Sequence, residues 1–273
     1  MKNFRICILM MLKNEADLAL SWVKYHGSIF GFENLYIFDN GSDDEATLSA
    51  VRYAQESGAN CYFDKSTFED FKNKGAIFAN LIKELDSKDP YDFYFPLDCD
   101  EFLAAKVDGN YVHDLEGISQ SLAKYENSPD QLKVGSCPTN NPLKKSYYKI
   151  DLQQRKFFFA KGTCVSLDRG FHHGITKSGI TVTTEIVYFH FHYREFLSIQ
   201  FHSKKKLEGA IKSFDKATLS AYRGSSFHLT QYLLQDEKSY YDQFSKWEHE
   251  YIPSLESKFE ALGLTMPVIA SRP

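Results

Sequence analysis

Three carboxylates stand within four positions in the stretch YFPLDCDEFLA, residues 94–104: Asp98, Asp100 and Glu101. Acidic side chains this close repel one another, so something positive must compensate. Asp98 and Asp100 are two apart; on an extended backbone they share one side, and in a turn both still reach one ion. Hard oxygen ligands in an Asp-x-Asp arrangement suit Mg²⁺ or Mn²⁺. An ion held there can neutralise a departing diphosphate. Acids that are merely solvated, or that cap a helix, satisfy the same stretch. The metal reading gains from the large apolar run just before it, which places the acids at the end of a buried strand. Glu101 is open to a structural hydrogen bond or to a functional role.

Other chemistry-bearing residues stand at comparable places. Asp39 ends the run NLYIFD, where a carboxylate can accept from a ribose hydroxyl or a base N–H. The following GSDD also reads as a tight turn and helix cap built from Gly41, Ser42 and Asp43, and both readings can hold together. Asn14 and Glu15 follow the apolar run FRICILMM in the same way. Lys74 begins a helical pattern and can reach a phosphate, or simply face solvent. In YFHFHYR, His190 and His192 alternate with Phe189, Phe191 and Tyr193, so on a strand both imidazoles share a face. Two aspartates leave an octahedral ion short of ligands, and a histidine from this pair can complete the shell, with His172 and His173 as a further choice. An imidazole ligand favours Mn²⁺ over Mg²⁺. An ordinary polar strand face accounts for the same spacing.

The elements that must position these residues alternate. Residues 4–11, 34–40, 59–64 and 91–98 read as strands. Between them lie a helix capped by Asp17 and stopped by Gly31, a helix within 41–58, and a helix over 73–85. The order strand–helix repeated to a fourth strand implies a doubly wound, largely parallel sheet, which binds ligands at the carboxyl ends of its strands. KNE (13–15), DNGSDD (39–44) and DCDE (98–101) all fall at such ends. After position 105 the pattern loosens. Residues 116–131 read as helix and loop, 137–145 as a loop with Pro138 and Pro142, and 155–193 as β-rich; the chain from 195 onward reads as mostly helical. The expected division is 1–105, the doubly wound half, and 106–273, a second half ending in C-terminal helices, within one continuous domain.

The chain has 273 residues, 43% hydrophobic and 25% charged, enough for a substantial core. A net charge of −4 shows no global basic field for nucleic acid, and the run HSKKKLEG reads as a solvated face. Five scattered cysteines without a C-x-x-C suggest neither a zinc knuckle nor a disulfide framework, and fit a reducing cytoplasm. The first apolar run is too short to span a bilayer. Neither G-x-x-x-x-G-K-[ST], G-x-G-x-x-G nor G-x-S-x-G occurs.

Taken together, MLKNEADLALSWVKYHGSIFGFENLYIFDNGSDD and FPLDCDEFL resemble the glycosyltransferase family 2-like proteins of the GT-A fold, and HFHYREFLSIQFHSKKKLEG resembles a later segment of that family. The likeness covers about the first 105 residues and, more loosely, 190–209. It implies a metal-dependent hexosyltransferase-type enzyme moving a sugar from a nucleotide-diphospho-sugar, a UDP-sugar favoured, to a carbohydrate or lipid-linked glycan acceptor, as in polysaccharide biosynthesis. Asn14, Glu15, Asp39, Lys74 and Asp98 would hold the nucleotide; Asp98, Asp100 and His192 would hold Mn²⁺ or Mg²⁺. Such relatives generally invert the anomeric centre, which needs a general base. Asp168 and Glu185 are the candidates, both in the part without alignment. A cytoplasmic place is expected, with a peripheral position at the inner membrane face as the alternative. Rival readings are a sugar-phosphate nucleotidyltransferase, which would carry a glycine-rich loop where MLKNEAD stands; a haloacid-dehalogenase-like phosphatase, whose Asp-x-Asp follows the first strand; and a non-catalytic carbohydrate-binding protein, which would not need Asp39, Asp98 and Asp100 together.

Overall fold

The structure is a computed structural model that describes residues 2–153, 155–224 and 226–267. The chain begins β1 (Ile6–Leu12), α1 (Ala19–Phe30), β2 (Leu35–Asp39), α2 (Glu45–Glu56), β3 (Asn60–Tyr62), α3 (Phe68–Lys72), α4 (Lys74–Lys88), β4 (Phe93–Leu97). β1 pairs in parallel with β2 on one side and β4 on the other, and β3 adds beyond β2. The unbroken apolar run of β1 has a physical reason. Ile6, Ile8, Met10 and Leu12 enter one core with α1 and α2, while Cys7, Leu9 and Met11 enter a second with α4. A strand covered on both faces needs no polar alternation.

The next stretch, β5 (Glu101–Val107), β6 (Asn110–Val112), α5 (Leu115–Leu122), β7 (Gln131–Lys133), β8 (Cys137–Asn140), β9 (Tyr147–Asp151), β10 (Phe157–Ala160), β11 (Ser166–Leu167), β12 (Gly174–Ile175), β13 (Thr181–Thr183) and β14 (Ile186–His190), divides between two sheets. β10 runs antiparallel beside β4, and with β7 and β13 completes a seven-stranded mixed sheet in the order β13-β7-β10-β4-β1-β2-β3. The rest is helical apart from β15 (Glu250–Tyr251): α6 (Phe196–Leu207), α7 (Lys216–Ala221), α8 (Thr230–Leu234), α9 (Glu237–Asp242) and α10 (Ser254–Ala261). β15, β9, β8, β14, β5 and β6 form a six-stranded sheet, largely antiparallel. Helices α6 to α9 enclose a third, separate core around Phe196, Ile199, Leu207, Tyr232 and Tyr240. The architecture is mixed α/β, with the doubly wound parallel segment as expected.

Three local expectations are corrected. Residues 137–140 form a strand despite Pro138, because pairing to β14 passes through Thr139 and Ser136 and skips the proline. Asp17 does not cap α1: Leu18 is its N-cap residue and no side chain caps it. The Asp17 carboxylate instead accepts from Ser198 Oγ at 3.3 Å. In α2 the cap is Asp44, which accepts from Thr47 N–H at 2.8 Å.

Helix α1 is tied to the second sheet by buried polar contacts. Tyr25 donates to Leu103 O at 2.7 Å and therefore accepts from His113 Nδ1–H at 2.8 Å; His113 Nε2 in turn accepts from Ser254 Oγ at 2.9 Å. His26 Nδ1–H donates to Trp22 O at 2.9 Å, and its Nε2 accepts from Leu103 N–H at 3.2 Å. Both rings are thus fixed as the neutral Nδ1–H tautomer, and burial pushes each pKa down to about 3 from 6.5. An unfolded chain takes up these protons below pH 6.5 and the fold does not. Their stabilisation is therefore complete above that pH and is lost as pH falls toward 3, at about 1.4 kcal/mol per pH unit for each ring. Nitrogen-15 spectra at pH 5 should show both rings neutral in the folded protein; a protonated His26 or His113 there would contradict the assignment.

Candidate functional site

β1 lies between β2 and β4, so the strand order reverses across β1 and β4, and the carboxyl ends of these strands are where open α/β sheets take their ligands. Three loops meet there: the one after β1 with Asn14 and Glu15, the one after β2 with Asn40 to Asp44, and the one joining β4 to β5 with Asp98 to Asp100. That last loop is short, and β5 is held antiparallel to β14 with Glu101 opposite His190. The ladder continues past β14, since Phe191 N–H donates to Asp100 O at 2.7 Å. Sheet register therefore delivers both histidines to the acids.

The repulsion among the carboxylates is relieved by two buried lysines. Lys74 Nζ donates to Asp98 Oδ1 at 2.6 Å. Lys156 Nζ donates to Asp98 Oδ2 at 2.5 Å and to Glu101 Oε2 at 2.6 Å. Glu101 also accepts from Asp98 N–H at 2.8 Å, which makes it the internal brace of the turn. The lysine side chains are 6% and 3% exposed, while Asp98 is 35% exposed. Burial works against Asp98's charge, but Lys156 and Lys74 outweigh it and hold its pKa below the usual range. Burial pushes Glu101 up to about 7, against the pull of Lys156. Both ammonium groups lie over the ring of Phe171, at 4.5 and 4.8 Å. Phe171 itself has a φ of 62°, a left-handed conformation that bulky residues avoid.

Asp100 faces the histidines. Its Oδ2 lies 3.4 Å from His190 Nε2, and donor atoms of Asp100, His190 and His192 all fall within 4.8 Å of one another. Burial disfavours charge on His190, but Asp100 outweighs it and raises its pKa; burial and the neighbouring His190 push His192 down to about 3. His192 is thus a neutral imidazole, its Nε2 2.9 Å from Tyr232 OH. One carboxylate and two imidazoles fit a divalent transition-metal ion, and Mn²⁺ suits the set better than Mg²⁺. Asp98, Asp100 and Glu101 also lie within 4.8 Å of one another, but two of those three are engaged by lysines. The set around Asp100 is the better fit.

At the end of β2, both oxygens of Asp39 approach Ser42 N–H, at 3.3 and 3.1 Å. Asn14, at a φ of 52°, accepts from Asp43 N–H at 2.9 Å and from Asp44 N–H at 3.3 Å, so it ties the first loop to the second. Glu15 is bound by Arg194, whose guanidinium also meets His202 Nε2 at 2.9 Å and Asp17 at 3.7 Å. This fastens the C-terminal helices over the first loop.

The remaining candidates stand apart. Both oxygens of Asp168 accept backbone N–H groups, from Gly170 at 3.1 Å and His173 at 2.7 Å, and shape the turn that carries Phe171. That turn borders the site: a Cβ on Gly75, next to Lys74, would meet Asp168 O at 2.4 Å. Glu185 lies at the opposite end of β14 from His190, roughly 17 Å along the strand. There it pairs with Lys124 and with Tyr125 OH. His172 accompanies the Phe171 turn, 3.4 Å from Arg155 O, and neither it nor His173 belongs to the donor cluster. Sequence reasoning passed over Lys156, Arg194 and Tyr232. Lys156 had one usable signal: a lysine entering the apolar run FFFA must be buried, and a buried lysine needs an acid.

No protein-family model and no curated protein matches the chain. Among solved structures, the chain is similar to TarS of S. aureus at 9% identity and a TM-score of 0.39, over 74% of this chain. The matched part spans 40% of TarS. At that level the likeness carries no argument about activity, and the site has to be read from its own residues.

Proposed function

We propose that the protein transfers a sugar from a nucleotide-diphospho-sugar, a UDP-sugar favoured, to a hydroxyl of a carbohydrate or lipid-linked glycan acceptor, with inversion and with Mn²⁺ or Mg²⁺. The observation that carries this reading is that the strand-end carboxylate of Asp39 and a separate Asp-His-His donor set both lie at the carboxyl ends of the parallel strands. Asp39 ends the strand next to β1, where a carboxylate accepts from a ribose hydroxyl or base N–H. Asn14 holds the loop that faces it. Asp100, His190 and His192 would hold the ion, which supplies charge neutralisation to a departing diphosphate. Asp98 gathers Lys74 and Lys156 at the end of β4, where their buried positive charge would favour a diphosphate. Of the two carboxylates named for the base, Asp168 lies in a turn whose backbone packs against Gly75, with both of its oxygens accepting backbone N–H groups.

A carboxylate gripping the nucleoside far from the reacting carbon contributes mostly uniform binding, which shows in KM. Asp39→Ala should weaken nucleoside diphosphate binding at least about tenfold in calorimetry and leave kcat within a few-fold. An unchanged Kd would remove Asp39 from the site and the nucleotide from the reading.

A further inference from the structure

Helix α6 is apolar on two sides. Phe196, Ile199 and Leu207 are buried in the third core, as a surface helix requires. Leu197 and Phe201, one turn apart on the outward side, are nevertheless 66% and 53% exposed. Single exposed apolar residues are ordinary, but a leucine and a phenylalanine stacked at i and i+4 on one outward face are not.

The same face continues into Lys204 and Lys205, and the region is strongly basic. Positions 204–223 hold six Lys or Arg against two Asp or Glu, in a chain whose net charge is −4. Lys205 pairs with Glu208 at 3.3 Å, with both side chains about half exposed, so the pair is weak and easily exchanged. Lys204 lies 5.4 Å from the Phe214 ring. Phe227, 54% exposed, sits in the turn that packs against α6.

We propose that this face docks the protein on an anionic lipid surface, with Leu197 and Phe201 entering the interface and Lys204 and Lys205 meeting the headgroups. Apolar side chains rimmed by lysines are the composition by which a helix lies in the plane of a bilayer interface, and lysines near an anionic leaflet add attraction that salt screens. Charge decides between occupants: a second copy of an acidic chain would bring the same basic face against itself, and an uncharged partner would leave the lysines without a role. The docked helix is joined to the site, because Arg194 precedes it and its Ser198 and His202 contact Asp17 and Arg194. Docking would therefore place the site beside the membrane, within reach of a lipid-linked acceptor. The surface does not depend on the transfer reading, and either can fail without the other.

Co-sedimentation of the full chain with vesicles of 30% phosphatidylglycerol in phosphatidylcholine, against pure phosphatidylcholine, tests this. Binding to the anionic vesicles should weaken markedly between 50 and 500 mM salt. The double variants Leu197→Ser/Phe201→Ser and Lys204→Glu/Lys205→Glu should each lower it at least about tenfold. Their melting temperatures should stay near wild type, since these side chains contribute little to the core. Equal binding to neutral vesicles, no binding to either, wild-type binding by both variants, or dissociation of a dimer by the variants in sedimentation would overturn the proposal.

Discussion

Lys156→Ala is expected to be the most destabilising single truncation in the site, costing about 3–5 kcal/mol, the loss found when one partner of a buried ion pair is removed. Lys156 compensates Asp98 and Glu101 at once, and Glu101 is 1% exposed. Without the ammonium, Glu101 is a buried carboxylate with only a backbone N–H for company, and it responds by taking up a proton. Its folded pKa then rises further above the ordinary 4.5. An acid with a raised folded pKa loses stability as pH climbs past its unfolded value. The deficit of Lys156→Ala in urea denaturation should therefore be larger at pH 8 than at pH 5. Adding Glu101→Gln should recover part of it, because the second change removes the charge left stranded. A Lys156→Ala protein within 1 kcal/mol of wild type at pH 8 would mean that the ion pairs do not hold the turn together.

Asp100→Asn and His190→Ala should each cut turnover at least about a hundredfold, roughly 2.7 kcal/mol of barrier, within the several kcal/mol that a metal's charge stabilisation supplies. Asp100 has no lysine partner to strand, but it faces His190, which holds its pKa well below the ordinary 3.8, so Asp100→Asn should also lower the melting temperature somewhat at neutral pH. His192→Ala should act more selectively. Its neutral imidazole is what favours Mn²⁺, so its loss should shift metal preference toward Mg²⁺. Superimposable Mn²⁺ titrations of wild type and His192→Ala would remove that residue from the ion's shell.

β1, β2 and β4 were legible because burial on both faces writes a continuous apolar run, whereas β3 is a short, half-buried edge strand read from its place in the alternation. The second sheet was not. β5 begins inside the acidic stretch, so Glu101 reads as part of a loop although it is the first residue of a strand. β8 contains Pro138, and the reason it tolerates a proline lies in pairing to β14, some fifty residues away. For the site, Asp98, Asp100 and the histidine pair were visible from spacing. What spacing could not show is how the two aspartates divide their work. Asp98 is bound to Lys74 and Lys156 and Asp100 faces His190, a split that depends on side chains contributed by α4, β14 and the segment before β10. Asp17 is the opposite case. A local rule made it a cap, and a long-range contact with Ser198 and Arg194 took it elsewhere.

The central claim, a metal-assisted nucleotide-sugar site at the carboxyl ends of β1, β2 and β4, is tested most directly by thermal shift. Wild type and Asp100→Asn would be screened against UDP-, GDP-, CMP- and dTDP-sugars, with Mn²⁺ and with EDTA. A ligand at about 100 times its Kd adds roughly 2.7 kcal/mol to the folded state. At least one of these donors should raise the wild-type melting temperature by several degrees with Mn²⁺. The same donor should do so clearly less with EDTA or in Asp100→Asn. No shift with any donor, or an equal shift in the presence of EDTA and in the variant, would contradict the account.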